Sequence, residues 1–323
     1  MTDLIVERCL PDGFLASALR ADALAGLTAT PKTLSPKWFY DERGSELFEK
    51  ITLLPEYYPT RAERAILRAV SGEIAAATGA ATLVELGSGS SEKTHLLLDA
   101  LRDAGTLRSY VPLDVSESAL ISAANRVLAS YPGLSVVAVV SDFEEHLGLP
   151  AADGARLVAF LGSTIGNLLP AERVAFLARL RSGLSEGDAL LLGTDLVKDP
   201  AVLIAAYDDP AGVTAAFNKN VLAVLNAELG ADFDRDAFDH VAIWDAGAEW
   251  IEMRLRSILD QRVTLPAIGL AVEFAEGEEI RTEVSAKFRR GGIEAELAAA
   301  GFAMRSWWTD DDGQFGLSLS VPS

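Results

Sequence analysis

The sequence predicts an α/β protein built around a mostly parallel sheet, and three observations carry that prediction. Five short apolar runs, at 82–86, 109–114, 135–140, 156–161 and 188–194, alternate with stretches of helical periodicity, the pattern of parallel strands with right-handed crossovers. The first run leads directly into Gly87-Ser88-Gly89-Ser90-Ser91 and then a helix pattern carrying Leu96, Leu97, Leu98 and Leu101, the strand–glycine turn–helix opening of a nucleotide-binding unit. The alternation stops after Asp195 and resumes near residue 291, so a second unit interrupts the first.

In order, residues 11–28 read as helix on Leu15, Leu19 and Leu24. A segment dense in rings and turn formers follows, from Pro31 and Trp38 through Phe48 to Tyr57, Tyr58 and Pro59; so many rings near so many turns suggest a lid or pocket wall. Residues 61–78 return to helix, and the sheet begins at Thr82. Helices are expected at 91–103, 116–130 and 170–182, with turns at 141–144 and 162–167. Beyond Asp195, residues 200–226 read as helix interrupted at Asp208-Asp209-Pro210, and 239–245, 249–260 and 268–274 as strands of an α+β unit. A helix to Ala300, an aromatic strand through Trp307-Trp308, a turn at 310–313 and a strand at 315–321 supply an antiparallel edge to the sheet. The expected division is therefore 1–60 with 197–286 in one domain, and 61–196 with 287–323 in the other.

Composition narrows the function classes. The chain has 323 residues, 50% hydrophobic and 23% charged, an ordinary folded globule. A net charge of -19 argues against nucleic-acid partners and anionic lipid surfaces. No apolar run is long enough for a membrane span. Asp3 and Glu7 break up the N-terminus, so no secretory leader is expected. The lone Cys9 forms no internal disulfide, which suits a cytoplasmic location, and a monomer is expected. His95, His146 and His240 have no metal-ligand spacing, and no metal site is expected.

Ligands of open α/β sheets bind beyond the carboxyl ends of the strands. The first strand delivers Glu85, Gly87 and Gly89 there. Glu92 occupies the position where a dinucleotide fingerprint needs its third glycine, and a carboxylate there would repel a pyrophosphate. The turn therefore suits a nucleoside without phosphates, and cationic S-adenosylmethionine fits best. Asp114, at the end of the second strand, could accept hydrogen bonds from both ribose hydroxyls, with Ser116 the better helix cap. Asp142 could meet an adenine amino group and Phe143 stack beside the base. Lys93, in a first helical turn where a cation is disfavoured, makes sense against a ligand carboxylate. Gly162 and Asn167 follow the fourth strand within reach of a substrate.

The stretches PKWFYD (36–41), LPEYYPTR (54–61), ELGSGSSEKT (85–94), FLGSTIGN (160–167), LLGTDLVKD (191–199), AYDDPAGVTAAFN (206–218) and TEVSAKF (282–288) resemble the histidine-specific Nα-methyltransferases of ergothioneine biosynthesis. The resemblance runs from about Ala25 to Leu319. It implies a Rossmann-like methyltransferase domain plus a substrate-binding domain made of the N-terminal arm and the insertion. It further implies transfer of three methyl groups from S-adenosylmethionine to the α-amine of L-histidine, giving hercynine. Carried over, the cofactor positions are Tyr40, Gly87, Lys93, Asp114, Asp142 and Phe143. The histidine positions are Tyr57, Asn167 and Tyr207 around the amino-acid head, and Glu283 with Ser285 at the imidazole. Tyr40 and Asn167 are the candidates for catalytic roles.

The residues agree with the imidazole pair. Thr282-Glu283-Val284-Ser285 reads as strand, in which positions two apart share a face, and a carboxylate beside a hydroxyl suits two ring nitrogens. Glu283, Ser285 and Met253 form the pocket floor that decides between histidine and the runner-up, methylation of another amino acid's amine. A nicotinamide oxidoreductase is disfavoured by Glu92, and a non-catalytic S-adenosylmethionine-binding module by the complete set of substrate residues.

Overall fold

The structure, a computed structural model, describes residues 4–89, 93–142, 147–150 and 153–323. In chain order, β1 (Ile5–Arg8) and α1 (Phe14–Thr28) lead to the short β2 (Lys32–Thr33), a 3-10 turn at Pro36–Phe39, α2 (Glu42–Thr52) and α3 (Pro59–Thr78). There follow β3 (Thr82–Leu86), α4 (Thr94–Asp103), β4 (Ser109–Asp114), α5 (Glu117–Ser130), β5 (Ser135–Val140), β6 (Arg156–Phe160), α6 (Pro170–Ser182) and β7 (Ala189–Asp195). Next come α7 (Pro200–Tyr207), α8 (Val213–Leu229), β8 (Phe238–Asp245), β9 (Trp250–Ser257), β10 (Gln261–Leu265), β11 (Leu270–Phe274) and β12 (Glu279–Ala286). The chain ends with α9 (Arg290–Ala299), β13 (Phe302–Thr309) and β14 (Phe315–Pro322).

Two compact units emerge. The first comprises Met1–Leu10, Pro59–Val197 and Lys287–Ser323. Its sheet has the order β1-β5-β4-β3-β6-β7-β14-β13. The first six strands are parallel, and β14 runs antiparallel to both β7 and β13, the predicted antiparallel edge. Every residue of β3, β6 and β7 is buried, as expected of central parallel strands covered on both faces. Strand order reverses between β3 and β6, which opens the ligand crevice of a doubly wound sheet at their carboxyl ends. Two points differ from the sequence reading, and a third expectation lies partly outside the described residues. Ile5–Arg8 adds a sixth parallel strand, paired with β5 at the sheet edge and largely exposed, so its alternation is too weakly apolar to read. The helix read as 61–78 begins two residues earlier, at Pro59. The described part of the helix expected from 91 begins at Thr94; Glu92, on which the exclusion of a dinucleotide rests, and Phe143 and His146 lie outside the described residues.

The second unit comprises Pro11–Tyr58 and Lys198–Ala286. It holds a four-stranded sheet, β2-β12-β9-β8, and the hairpin β10-β11. One sheet face is a ladder of ion pairs, in which Glu279 bridges Arg254 and Arg256 and Arg281 reaches Glu252. The opposite face buries Ile251, Met253, Leu255 and Ile280 in a core shared with Phe217, Val221 and Leu225 of α8. Within the ring-rich segment, expected as a lid or pocket wall, 42–52 folds as the helix α2. Its start is fixed by Asp41, whose carboxylate accepts from the Gly44 amide (2.6 Å) and from Asn220 Nδ2 (2.8 Å). The helix read at 200–226 with an interruption at 208–210 is α7 and α8, parted there, and the strand read at 249–260 is β9 and the turn that follows it. Among the described residues, no helix is long and apolar enough to cross a membrane.

Candidate active site

In the first unit, the candidates gather at the carboxyl ends of β3, β4, β5 and β6. Gly87 sits at a φ of 67°, a left-handed conformation that glycine adopts without strain. Its amide and that of Ser88 donate to the Leu113 carbonyl (2.9 and 3.2 Å), so the glycine turn hangs from the end of β4. Asp114 completes the tie. Its Oδ2 accepts from the Gly89 amide (3.1 Å) and its Oδ1 from the Ser116 amide (2.9 Å). Ser116 stands at the N-cap of α5 without a side-chain capping bond, so the cap assigned to it from sequence is not made. Burial pushes the Asp114 pKa upward, against the pull of the backbone donors from Ser116, Gly89 and Val115. A ligand hydroxyl donating here would compensate that burial. Asp142 is buried two residues beyond β5.

Lys93 occupies the N-cap position of α4. Its ammonium pairs with Glu63, a fully buried carboxylate on α3. The same carboxylate receives the Gly162 amide at 2.8 and 3.0 Å. Gly162 itself has a φ of 73° and opens the turn after β6 that ends with the half-buried Asn167. Next to it, the Ser163 Oγ accepts from the Asp195 amide (2.9 Å). Asp195 in turn forms a buried ion pair with Lys287 at 2.9 Å. Glu85 is directed into the core: Thr94 Oγ1 (2.5 Å) and Tyr110 OH (2.6 Å) donate to its two oxygens. Burial raises its pKa to about 7 despite those bonds.

In the second unit, rings form a continuous run. Tyr40 meets Phe48 and Phe217 edge-on, with centroids 5.7 and 5.6 Å apart. Phe48 meets Tyr57 at 6.2 Å, and Tyr57 meets Tyr207 at 6.3 Å. The Tyr207 hydroxyl lies 2.7 Å from Ser285 Oγ. Glu283 stands two residues from Ser285 on β12 and directly opposite Met253 on β9; all three are buried. Tyr207 is held by His240, whose Nε2 lies 2.8 Å from the Tyr207 carbonyl oxygen and therefore carries the proton. Asn218 Nδ2 then donates to Nδ1 (2.8 Å). Burial pushes the His240 pKa down, with the Tyr207 carbonyl opposing, and both ring nitrogens are hydrogen-bonded. Tyr57, Tyr207, Ser285, Glu283 and Met253 thus belong to one neighbourhood of this unit, with Tyr40 at the far end of the ring run. Among the described residues, no group of three or more His, Cys, Asp or Glu could hold a metal ion.

Sequence reasoning missed Glu63, Asn218, His240 as an anchor of Tyr207, and the Asp195–Lys287 pair. Only Glu63 left a trace, as a carboxylate on the apolar stripe of α3 that also carries Ala62, Ile66, Leu67 and Ile74.

A sheet that reverses order beside a glycine turn, with an acid ending the neighbouring strand, defines a nucleoside-binding doubly wound α/β protein. The comparisons sharpen that class. Residues 19–322 match the family described as "Histidine-specific methyltransferase, SAM-dependent", and the chain belongs to that family. A histidine N-alpha-methyltransferase of Mycolicibacterium smegmatis is 61% identical over 306 residues, covering 95% of both chains. One from Mycobacterium tuberculosis is 60% identical over 304 residues, covering 94% of this chain and 95% of the relative. Ergothioneine biosynthesis protein 1 of Neurospora crassa is 31% identical over 305 residues, covering 91% of this chain and 33% of the larger protein.

Proposed function

We propose that the protein methylates the α-amine of L-histidine three times with S-adenosylmethionine, yielding hercynine in the first step of ergothioneine biosynthesis. The observation that carries the substrate is the buried pair Glu283 and Ser285 on one face of β12, with Ser285 already bonded to Tyr207. A buried carboxylate discriminates in favour of a ligand side chain that brings it an N–H group. Imidazole offers one, and titrates near enough to neutrality to bind as the cation. Tyr57, Tyr207 and Asn167 then read the amino-acid head.

Bound S-adenosylmethionine supplies an electrophilic methyl group on a sulfonium. The described residues at the strand ends suit that molecule: Asp114 for the ribose hydroxyls, Asp142 for the adenine, Lys93 for the carboxylate of the methionine end, with Gly87 allowing close backbone approach. Displacement at a methyl group needs little covalent help from the protein, so alignment of the amine supplies most of the acceleration. Each transfer sheds one proton from the amine, and the Tyr40 hydroxyl is the proposed path to water. Rings such as Tyr40 and Tyr57 favour the quaternary ammonium that accumulates. In the same reading, Pro11–Tyr58 and Lys198–Ala286 form the substrate-binding domain, and the enzyme works as a cytoplasmic monomer without nucleic-acid partners, in keeping with its charge of -19.

Mass spectrometry of histidine incubated with protein and S-adenosylmethionine tests the reaction, with hercynine as the expected product. Specificity is tested by kcat/KM for histidine, phenylalanine and leucine with wild type and Glu283→Ala. The variant should lose histidine turnover strongly and narrow the advantage over the apolar amino acids. An unchanged ratio would remove Glu283 as the reader of the imidazole and favour another amine substrate.

A further inference from the structure

We infer that Glu63 is a positioning residue for the cofactor's methionine end, acting through Lys93 and the Gly162 amide. This rests on the reading of Lys93 as the partner of the cofactor's carboxylate. Glu63 belongs to α3, ahead of the first strand of the glycine-turn unit, yet its carboxylate is completely buried where two functional turns converge. It binds the ammonium of Lys93, at the start of α4 after β3. It also receives the amide of Gly162, which opens the turn after β6. The strands β3 and β6 are neighbours at the point where the order of the sheet reverses, so one carboxylate ties together both lips of the crevice.

Each partner has a reason to need Glu63. An ammonium at a helix N-terminus faces the positive end of the dipole and would swing toward water. Paired with Glu63, the Lys93 side chain is held with 20% of its surface open. One of its three donors is engaged and the others remain for an incoming carboxylate. Pre-fixing a long, flexible side chain removes an ordering cost from ligand binding. Room for the carboxylate comes from β7: a Cβ at Gly193 would lie 2.2 Å from Glu63 Oε1. A carboxylate on an apolar helical stripe and a bare position in a fully buried strand therefore form one arrangement.

The test is a double-mutant cycle on S-adenosylhomocysteine binding by calorimetry, with Glu63→Gln, Lys93→Met and both together. The Tm of each protein and the KM for S-adenosylmethionine and for histidine accompany it. Glu63→Gln should weaken S-adenosylhomocysteine by about ten-fold or more and raise the KM for S-adenosylmethionine, while KM for histidine stays near wild type. In the Lys93→Met background the same change should alter affinity by less than about two-fold, because its route is gone. Gly193→Ala, which displaces the carboxylate without removing its charge, should weaken binding in the same Lys93-dependent way and serves if Glu63→Gln does not fold. Multiplying effects in the double variant, or unchanged affinity in Glu63→Gln and Gly193→Ala, would overturn the role of Glu63 alone. A wild type that does not bind S-adenosylhomocysteine, or a Lys93→Met protein that binds it normally, overturns the underlying reading of Lys93 and this inference with it.

Discussion

Glu85 should make the stability of the protein fall as pH rises through neutrality. Its carboxyl is enclosed within the first unit, and burial moves its pKa from 4.5 to about 7. The bonds from Thr94 and Tyr110 and the charge of Lys93 oppose the move, and Glu63 adds to it. Because the folded pKa lies above the unfolded one, the folded protein keeps a proton that the unfolded chain has released. Stability from this group is fully present below about pH 4.5 and is lost as pH rises through about 7. The whole displacement is worth about 3.4 kcal/mol, of which about 2.5 kcal/mol is lost between about pH 5 and pH 8. Glu85→Gln removes the titration and keeps the shape. Its amide oxygen can accept from one hydroxyl, while its NH2 group donates to the other. Urea unfolding of both proteins at several pH values between 5 and 8 isolates the effect, because any packing cost of the glutamine is the same at every pH. The variant should gain about 2.5 kcal/mol on wild type between the two ends of that range. A difference that stays constant to within about 0.5 kcal/mol would mean that Glu85 titrates normally in the fold.

Asp114→Ala removes the proposed ribose acceptor and the tie between β4 and the glycine turn, and should weaken S-adenosylhomocysteine binding by about 1.5–3 kcal/mol in calorimetry, with little change in the KM for histidine. Lys287→Met leaves Asp195 charged and buried, which should cost about 3–5 kcal/mol of unfolding free energy in urea. The double variant Lys287→Met with Asp195→Leu should recover most of that loss, and failure to recover would mean that the pair does more than neutralise itself.

The sheet of the first unit was legible because its central strands are buried on both faces, and burial on both faces forces continuous apolar runs such as 188–194. β1 was not, because an exposed edge strand is under no such demand, and Ile5 and Val6 are followed at once by Glu7 and Arg8. In the second unit, α2 escaped notice because Pro36, Trp38 and Tyr40 dominate the local composition, while its start depends on the long-range partner Asn220 as well as on Asp41 itself. Lys93 was legible as an ion-pairing residue, since a cation at a helix start needs a reason. Periodicity cannot say which carboxylate supplies one, and Glu63 lies 30 residues away.

The pairing of Glu283 with Ser285 shows most clearly what alternation can and cannot carry. Strict alternation along β12 places Glu279, Arg281, Glu283 and Ser285 on one face, and Glu279 and Arg281 belong to the ion-pair ladder. By that count Glu283 would be one more charge on that ladder. The strand does not alternate strictly: the register shifts between Arg281 and Glu283, so that Arg281 opposes Arg254 while Glu283 opposes Met253. One extra residue, Thr282, turns the rest of the strand over. Its hydroxyl lies 2.6 Å from Asn218 Oδ1 and 3.0 Å from the Met253 carbonyl oxygen, within the core and away from the ladder. The bulge therefore moves a carboxylate from the ladder to the buried face, and it brings Ser285 with it to Tyr207. The inference that the two residues share a face survives because both lie beyond the bulge. Which face they share is decided by a single inserted residue whose side chain the core accepts, and no period in the sequence records it.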